Sequence, residues 1–253
     1  MGKELFDLTG KVAAITGATR GIGKSMAIAL AEAGADIALL QRNLEMKEVK
    51  EEIEKLGRKC TIIPCDLEKK TEVKEAIPKV VAGFGKIDIL VNNAGIQRRS
   101  PSVDFSESDW DDVLSINLKM VWLLCQEAGR YMVPKGEGKI INLASLLSYQ
   151  GGYTVPAYAA AKGGVAQLTK ALSNEWAKAG VNVNAIVPGY IATDMNTALI
   201  DDPVRSKQIL DRIPAERWGK PEDFKGTAVF LASEASKYIH GHLLAVDGGW
   251  LGR

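Results

Sequence analysis

Lys11-Val12-Ala13-Ala14-Ile15-Thr16-Gly17-Ala18-Thr19-Arg20-Gly21-Ile22-Gly23 joins a short apolar run to a glycine-rich turn. An alanine-rich segment over 21–33 follows, and Gly34 stops it. A run that is apolar throughout reads as a strand buried on both faces. The glycines allow a tight reversal and close approach of the backbone to a diphosphate, and the N-terminus of the next helix offers free N–H groups and a favourable dipole. The spacing is G-x-x-x-G-x-G rather than G-x-G-x-x-G, so the turn alone fits either a nucleotide site or a plain tight turn. Its place between a first strand and a first helix is the one a dinucleotide site requires.

The same alternation continues outward. Ile37-Ala38-Leu39-Leu40 reads as a second strand, and Leu44, Val49, Ile53 and Leu56 recur at helical intervals over 44–56. Thr61-Ile62-Ile63-Pro64-Cys65 is a third strand, followed by a helix over 73–84 with Pro78 in its interior. Ile87-Asp88-Ile89-Leu90-Val91 is a fourth, then one long helical region over 106–132 leads to a strand ending near Ser145. A helix over 157–179, a strand over 181–187, a helix over 222–232 and the strand Leu243-Leu244-Ala245-Val246 complete the pattern. Short apolar strands alternating with helices predict an α/β fold, a doubly wound parallel sheet with helices on both faces. No repeat or compositional seam divides the chain, so one domain over residues 1–253 is expected. The segment over about 189–217 shows neither strand nor core-helix character, and a stretch that long in a compact domain reads as a substrate-binding loop or lid.

Composition narrows the class. The apolar fraction is 46% and the formal net charge is +1, without the basic excess that would point to nucleic acid or an anionic membrane. No apolar run approaches the ~20 residues that span a bilayer. Met1-Gly2-Lys3-Glu4-Leu5-Phe6 carries neither a secretory core nor a myristoylation signal, and the chain end carries no lipidation tail, so a cytoplasmic protein is expected. Cys60, Cys65 and Cys125 are odd in number and at no metal-ligand spacing, and His240 and His242 lack a third ligand nearby. No metal is expected, and the absence of G-x-S-x-G disfavours a serine hydrolase.

Thirteen residues beyond Ser145 begins Tyr158-Ala159-Ala160-Ala161-Lys162. On a helix, a spacing of four stacks the phenol and the ammonium on one face. A cation held close to a phenol favours its ionised form, so Lys162 is expected to lower the Tyr158 pKa toward neutrality and make it a proton donor and acceptor.

Taken together, the glycine turn, Asn92-Asn93-Ala94-Gly95 after the fourth strand, Ser145, Tyr158-x-x-x-Lys162 and Pro188-Gly189 resemble the short-chain dehydrogenase/reductase family, in order and spacing over nearly the whole chain. The resemblance implies a Rossmann domain with seven parallel strands, a nicotinamide cofactor and a homotetramer or homodimer. It also implies a catalytic tetrad of Asn117, Ser145, Tyr158 and Lys162. In it Tyr158 is the acid or base, Ser145 holds the substrate oxygen, Lys162 tunes Tyr158 and holds the ribose, and Asn117 positions a relay water. By the same resemblance Gly17, Arg20, Gly21, Ile22 and Gly23 receive the diphosphate, and Asp66 with Leu67 the adenine. Asn93, Ala94 and Gly95 would then pack on the ribose, and Pro188, Gly189, Ile191 and Thr193 close over the nicotinamide.

Coenzyme choice rests on Leu40-Gln41-Arg42-Asn43 at the end of the second strand. An acid there would accept from a ribose 2′-hydroxyl. Gln41 stands in its place and Arg42 can pair with a 2′-phosphate, which favours NADP(H) while leaving NAD(H) open. Further stretches, among them Ile96-Gln97-Arg98-Arg99, Gln150-Gly151-Gly152 and Val246-Asp247-Gly248-Gly249-Trp250, resemble the sugar-acid dehydrogenases of the family. These are the 2-deoxy-D-gluconate 3-dehydrogenases, also called 2-dehydro-3-deoxy-D-gluconate 5-dehydrogenases, and the gluconate 5-dehydrogenases. An anionic sugar substrate needs a cation and hydrogen-bond donors, for which Arg98, Arg99 and Gln150 are the candidates; the two arginines can equally coat a surface. A reductase of 3-oxoacyl thioesters or hydrophobic ketones, and a nucleotide-binding sensor without chemistry, stay open.

Overall fold

Seven of the apolar runs become strands in the computed structural model, which describes residues 4–253. Residues 1–3, on which part of the reading of the N-terminus falls, lie outside the described residues. The strands are β1 (Val12–Thr16), β2 (Asp36–Gln41), β3 (Cys60–Pro64), β4 (Ile89–Asn92), β5 (Gly138–Leu143), β6 (Val181–Pro188) and β7 (Leu243–Val246). All neighbours pair in parallel, in the order β3-β2-β1-β4-β5-β6-β7. This is the doubly wound sheet the sequence predicts, and its order reverses between β1 and β4.

Side chains alternate across the sheet, and each face buries its own helices. Val12 and Ala14 join a core with Val73 and Ile77 of α3 (Lys70–Phe84), Leu124 of α5 (Met120–Lys135) and Val165 of α6 (Pro156–Trp176). Ala13 and Ile15 join the other, with Met26 and Leu30 of α1 (Gly21–Glu32), Ile53 of α2 (Glu48–Lys55) and Leu231 of α9 (Lys225–Ala232). α3 runs through Pro78 without ending there, and nothing in the structure explains that residue.

Two expectations change. The long helical region divides into α4 (Glu107–Leu114), a π-helical turn over Ser115–Lys119, and α5. One widened turn does not disturb a 3.6-residue apolar period enough to be read from sequence. The segment over 189–217 also holds α7 (Thr197–Ile200) and α8 (Pro203–Leu210). α8 buries little besides Ile209, so it has no amphipathic stripe to betray it. Its start was nevertheless legible: Asp202 Oδ1 accepts from Val204 N (2.9 Å) and Arg205 N (3.0 Å), and Pro203 takes the first helical position.

Among the described residues, no helix is long and apolar enough to cross a membrane, and no cluster of side chains could hold a metal. The three cysteines are free and buried, and burial pushes each thiol up to about 12.

Candidate active site

The C-terminal ends of β1, β4, β5 and β6 open into one cavity of about 1310 Å³. Its first wall is the turn from β1 to α1. Gly17 has φ +65°, and a Cβ there would come within 2.9 Å of Ala94 Cα. A Cβ on Gly23 would overlap the Gly17 carbonyl oxygen. Asn93 braces this packing: its Nδ2 donates to the carbonyls of Thr16 (3.0 Å) and Gly17 (2.9 Å), while Thr16 Oγ1 accepts from Asn93 N and Ala94 N. No side chain caps α1, so its first N–H groups are left for an anion. A bare backbone cradle at an uncapped helix N-terminus fits the diphosphate of a dinucleotide.

Gly17, Arg20, Gly21, Ile22 and Gly23 line this wall, and Asn93, Ala94 and Gly95 its floor. Pro188, Gly189, Ile191 and Thr193 line the side beyond β6. Arg42, Asp66 and Leu67 do not line the cavity. Arg42 leans toward Glu68 at 3.6 Å, Asp66 accepts from Glu68 N at 3.1 Å, and Leu67 packs on the core. Gln41 is buried and donates to Asn43 O (2.6 Å) and Met46 O (2.9 Å), so it shapes the loop after β2 rather than facing a ligand.

Ser145, Tyr158 and Lys162 meet at the centre. Ser145 Oγ accepts from Leu147 N at 3.2 Å, which leaves its O–H to donate, and it acts on the Tyr158 phenol to lower its pKa. Lys162 is buried and donates to Leu143 O at 2.6 Å; its Nζ lies 5.5 Å from the centre of the Tyr158 ring. In the protein alone, Lys162 is not among the groups that lower the Tyr158 pKa, and the positive nicotinamide expected to act with it belongs to the coenzyme. The ammonium is tied to a carbonyl under the ring rather than held at the phenol oxygen. Burial pushes Tyr158 up to about 12, opposed by Ser145 and the charge of Arg99, and burial pushes Lys162 down to about 8. Without ligands, protein groups alone leave the phenol a proton donor.

Asn117 sits in the π turn, fully buried and away from the cavity lining. Its amide is spent on one residue: Oδ1 accepts from Ile96 N (3.0 Å) and Nδ2 donates to Ile96 O (2.8 Å). The widened turn lets the side chain reach the loop after β4, which carries Arg98 and Arg99.

The two arginines part company. Arg98 Nε donates to Asp109 Oδ1 of α4 at 3.1 Å. Arg99 lines the cavity without a carboxylate partner among the described residues; partial burial and the like charge of Arg205 lower its pKa, against the pull of Tyr190 and Tyr158, and the residue as a whole is exposed. The loop is hooked to the opposite wall by Ser100 N donating to Thr154 O at 3.1 Å. Thr154 has φ +61°, a strained value for a β-branched residue, next to the cavity residues Tyr153 and Val155. Arg205, Arg212, Tyr190 and Trp250 also line the cavity, and sequence reading did not single them out as site residues. For Arg205 the signal was the capping pair Asp202-Pro203; the others had none. The described lining carries six cationic side chains, Arg20, Arg98, Arg99, Lys162, Arg205 and Arg212, against one carboxylate, Asp194, which pairs with Arg20 at 3.0 Å. Such a cavity attracts anions.

A family profile described as enoyl-(acyl carrier protein) reductase matches residues 17–251. The chain is 53% identical over 252 residues to 2-dehydro-3-deoxy-D-gluconate 5-dehydrogenase of Pseudoalteromonas atlantica, covering 99% of each. A crystal structure from Agrobacterium tumefaciens with bound NADP, assigned as a 2-deoxy-D-gluconate 3-dehydrogenase, superposes with a TM-score of 0.93 at 49% identity, over 98% of this chain and 99% of that one. A gluconate 5-dehydrogenase from Burkholderia cenocepacia, in complex with NADP and tartrate, superposes at 0.96 with 41% identity over 100% of both chains. Matched by the family profile over residues 17–251 and by relatives over nearly its whole length, the chain belongs to the short-chain dehydrogenase/reductase family.

Proposed function

We propose that the protein is an NADP(H)-dependent oxidoreductase that interconverts a secondary hydroxyl and a ketone on a sugar acid of the gluconate, 2-deoxygluconate or 3-deoxy-2-ketogluconate type. One observation carries the reading: a diphosphate cradle, a Ser–Tyr–Lys centre and a guanidinium without a carboxylate partner, Arg99, line one cavity. The relatives' names, which specify sugar acids, and the NADP in two related structures support it. In this reading residues 1–253 act as one NAD(P)-binding domain, with 189–217 as the substrate loop.

The coenzyme, when bound, carries the hydride. Gly17, Arg20, Gly21, Ile22 and Gly23 would hold its diphosphate, and Pro188, Gly189, Ile191 and Thr193 its nicotinamide end. Asn93, Ala94, Gly95, Asp66 and Leu67 would flank the adenosine. In reduction Ser145 donates to the carbonyl oxygen and stabilises the charge that builds there, and Tyr158 delivers the proton to the same oxygen. Lys162 supplies positive charge below the phenol and passes on the replacement proton. Asn117, its amide committed to Ile96, would serve the relay through the main chain of its π turn. Arg99, with Arg205 beside it, would take the substrate carboxylate, and Gln150 a hydroxyl. Arg98, already paired with Asp109, plays the smaller part.

Arg42 is expected to set the coenzyme preference, because no carboxylate stands at the end of β2 and its pairing with Glu68 is long and exposed. Arg42→Ala should lower kcat/KM for NADPH about tenfold, the worth of one charge-assisted contact, and leave NADH within about twofold. Equal losses with both coenzymes would count against a 2′-phosphate contact.

Exposed Trp110 and Trp122, on α4 and α5, support a homotetramer or homodimer, and the free cysteines suit a reducing cytoplasm. A reductase of another carbonyl, such as a 3-oxoacyl thioester or a hydrophobic ketone, is the rival. Turnover of keto-deoxy sugar acids, 5-ketogluconate, acetoacetyl thioesters and simple ketones, each with NADPH and NADH, tests the reading. Preference for a sugar acid with NADPH is expected. Preference for thioesters, or coenzyme binding without any turnover, would replace it with the reductase or the sensor.

A further inference from the structure

Near the chain end, Trp250 is buried at the cavity wall and donates its indole N–H to Gln150 Oε1 at 3.1 Å. An indole nitrogen donates and cannot accept, so the bond dictates which way the Gln150 amide lies. The oxygen is turned toward Trp250, and the NH2 group is left without a protein acceptor among the described residues. Gln150 lines the same cavity as Ser145, five residues earlier in the chain.

The indole is itself fixed from several directions. The Arg212 guanidinium stacks on it at 4.0 Å, and Tyr190 packs against it with ring centres 4.7 Å apart. Tyr190 in turn meets the edge of Trp218 at 5.7 Å. Asp247 holds the tail turn: Oδ1 accepts from Gly249 N (2.9 Å) and Oδ2 from Leu251 N (2.8 Å). Arg253 donates to Asp211 O at 3.0 Å, which ties the tail to the residue just beyond α8.

We propose that Trp250 is a positioning residue: it locks Gln150 with its NH2 toward the cavity, so that the site recognises an oxygen of the polyol chain, a hydroxyl, in addition to the carboxylate and the reacting carbon. The proposal rests on the sugar-acid reading above and adds to it the group that sets hydroxyl recognition. A free glutamine rotates and presents oxygen or nitrogen indifferently. A glutamine held by an indole presents a donor only, and a substrate lacking the matching oxygen leaves that donor unpaired.

Trp250→Phe keeps an aromatic ring for Arg212 and Tyr190 and removes the N–H. Its kinetics with 5-ketogluconate and with 5-oxohexanoate, which retains the carboxylate and ketone but lacks the hydroxyls, provide the test. With 5-ketogluconate, kcat/KM should fall about 5–20-fold, the worth of one hydrogen bond, mainly through KM. With 5-oxohexanoate it should change less than about twofold, and the KM for NADPH should hold. Gln150→Ala should show the same split, and the double variant should be no worse than the more impaired single one. Equal losses on both substrates, additive losses in the double variant, or an unaffected Trp250→Phe would overturn the positioning role while leaving the sugar-acid reading in place. No turnover of 5-ketogluconate or any other sugar acid by the wild-type enzyme would overturn both.

Discussion

Tyr158→Phe is expected to lower kcat about a thousandfold while the dissociation constant for NADPH changes less than about twofold. The ring stays, with its packing over Lys162, and what is lost is the O–H in the cavity that Ser145 also lines. Stopped-flow turnover and coenzyme fluorescence titration on the same preparation check both halves. The pH dependence has a definite sign. Burial holds Tyr158 protonated up to about 12, so the phenol imposes no limit on reduction near neutrality. Lys162, pushed down to about 8, loses its charge there rather than near its ordinary 10.5. For reduction, kcat/KM should therefore be level below about pH 8 and decline above it. Alcohol oxidation needs the phenol's proton gone, so its rate should rise with pH toward the phenol's own titration at about 12.

The second large effect separates two adjacent arginines. Arg99→Ala should lower kcat/KM for a sugar acid about 100-fold, mostly in KM, because a substrate carboxylate would lose its charge-assisted partner inside a cavity. Arg98→Ala should cost less than about threefold, since Arg98 is already paired with Asp109, whereas Arg99, exposed like it, has no carboxylate partner among the described residues. A neutral ketone should be insensitive to either change. If the two variants behave alike, the carboxylate binds elsewhere.

How far the sequence could be read follows from the kind of signal each feature left. The sheet was legible because buried parallel strands are short apolar runs, and the glycine turn because backbone packing against Asn93 and Ala94 tolerates nothing larger at Gly17 and Gly23. Tyr158, Lys162 and Ser145 were legible through spacing and resemblance. What spacing could not give is the direction in which a side chain points. Arg98 and Arg99 are equivalent in sequence, yet the loop after β4 sends one to Asp109 and leaves the other in the cavity lining without a carboxylate partner among the described residues. Lys162 stands four residues from Tyr158 as required, yet spacing did not show that Leu143 O holds its ammonium under the ring, nor that burial raises the phenol's pKa in the protein alone. Asn117 was legible as a functional position, but its bidentate hold on Ile96 depends on a π turn that apolar periodicity does not reveal. Trp250 lies about a hundred residues from Gln150, and only the fold brings them together.

The most direct measurement is a crystal structure of the enzyme with NADP and a sugar acid. The coenzyme diphosphate is expected on the backbone of Gly17–Gly23, and the reacting oxygen of the substrate in hydrogen-bond contact with both Ser145 Oγ and the Tyr158 hydroxyl. The substrate carboxylate is expected to pair with Arg99. A carboxylate turned away from Arg99, with the reacting carbon beyond reach of Tyr158, would contradict this arrangement.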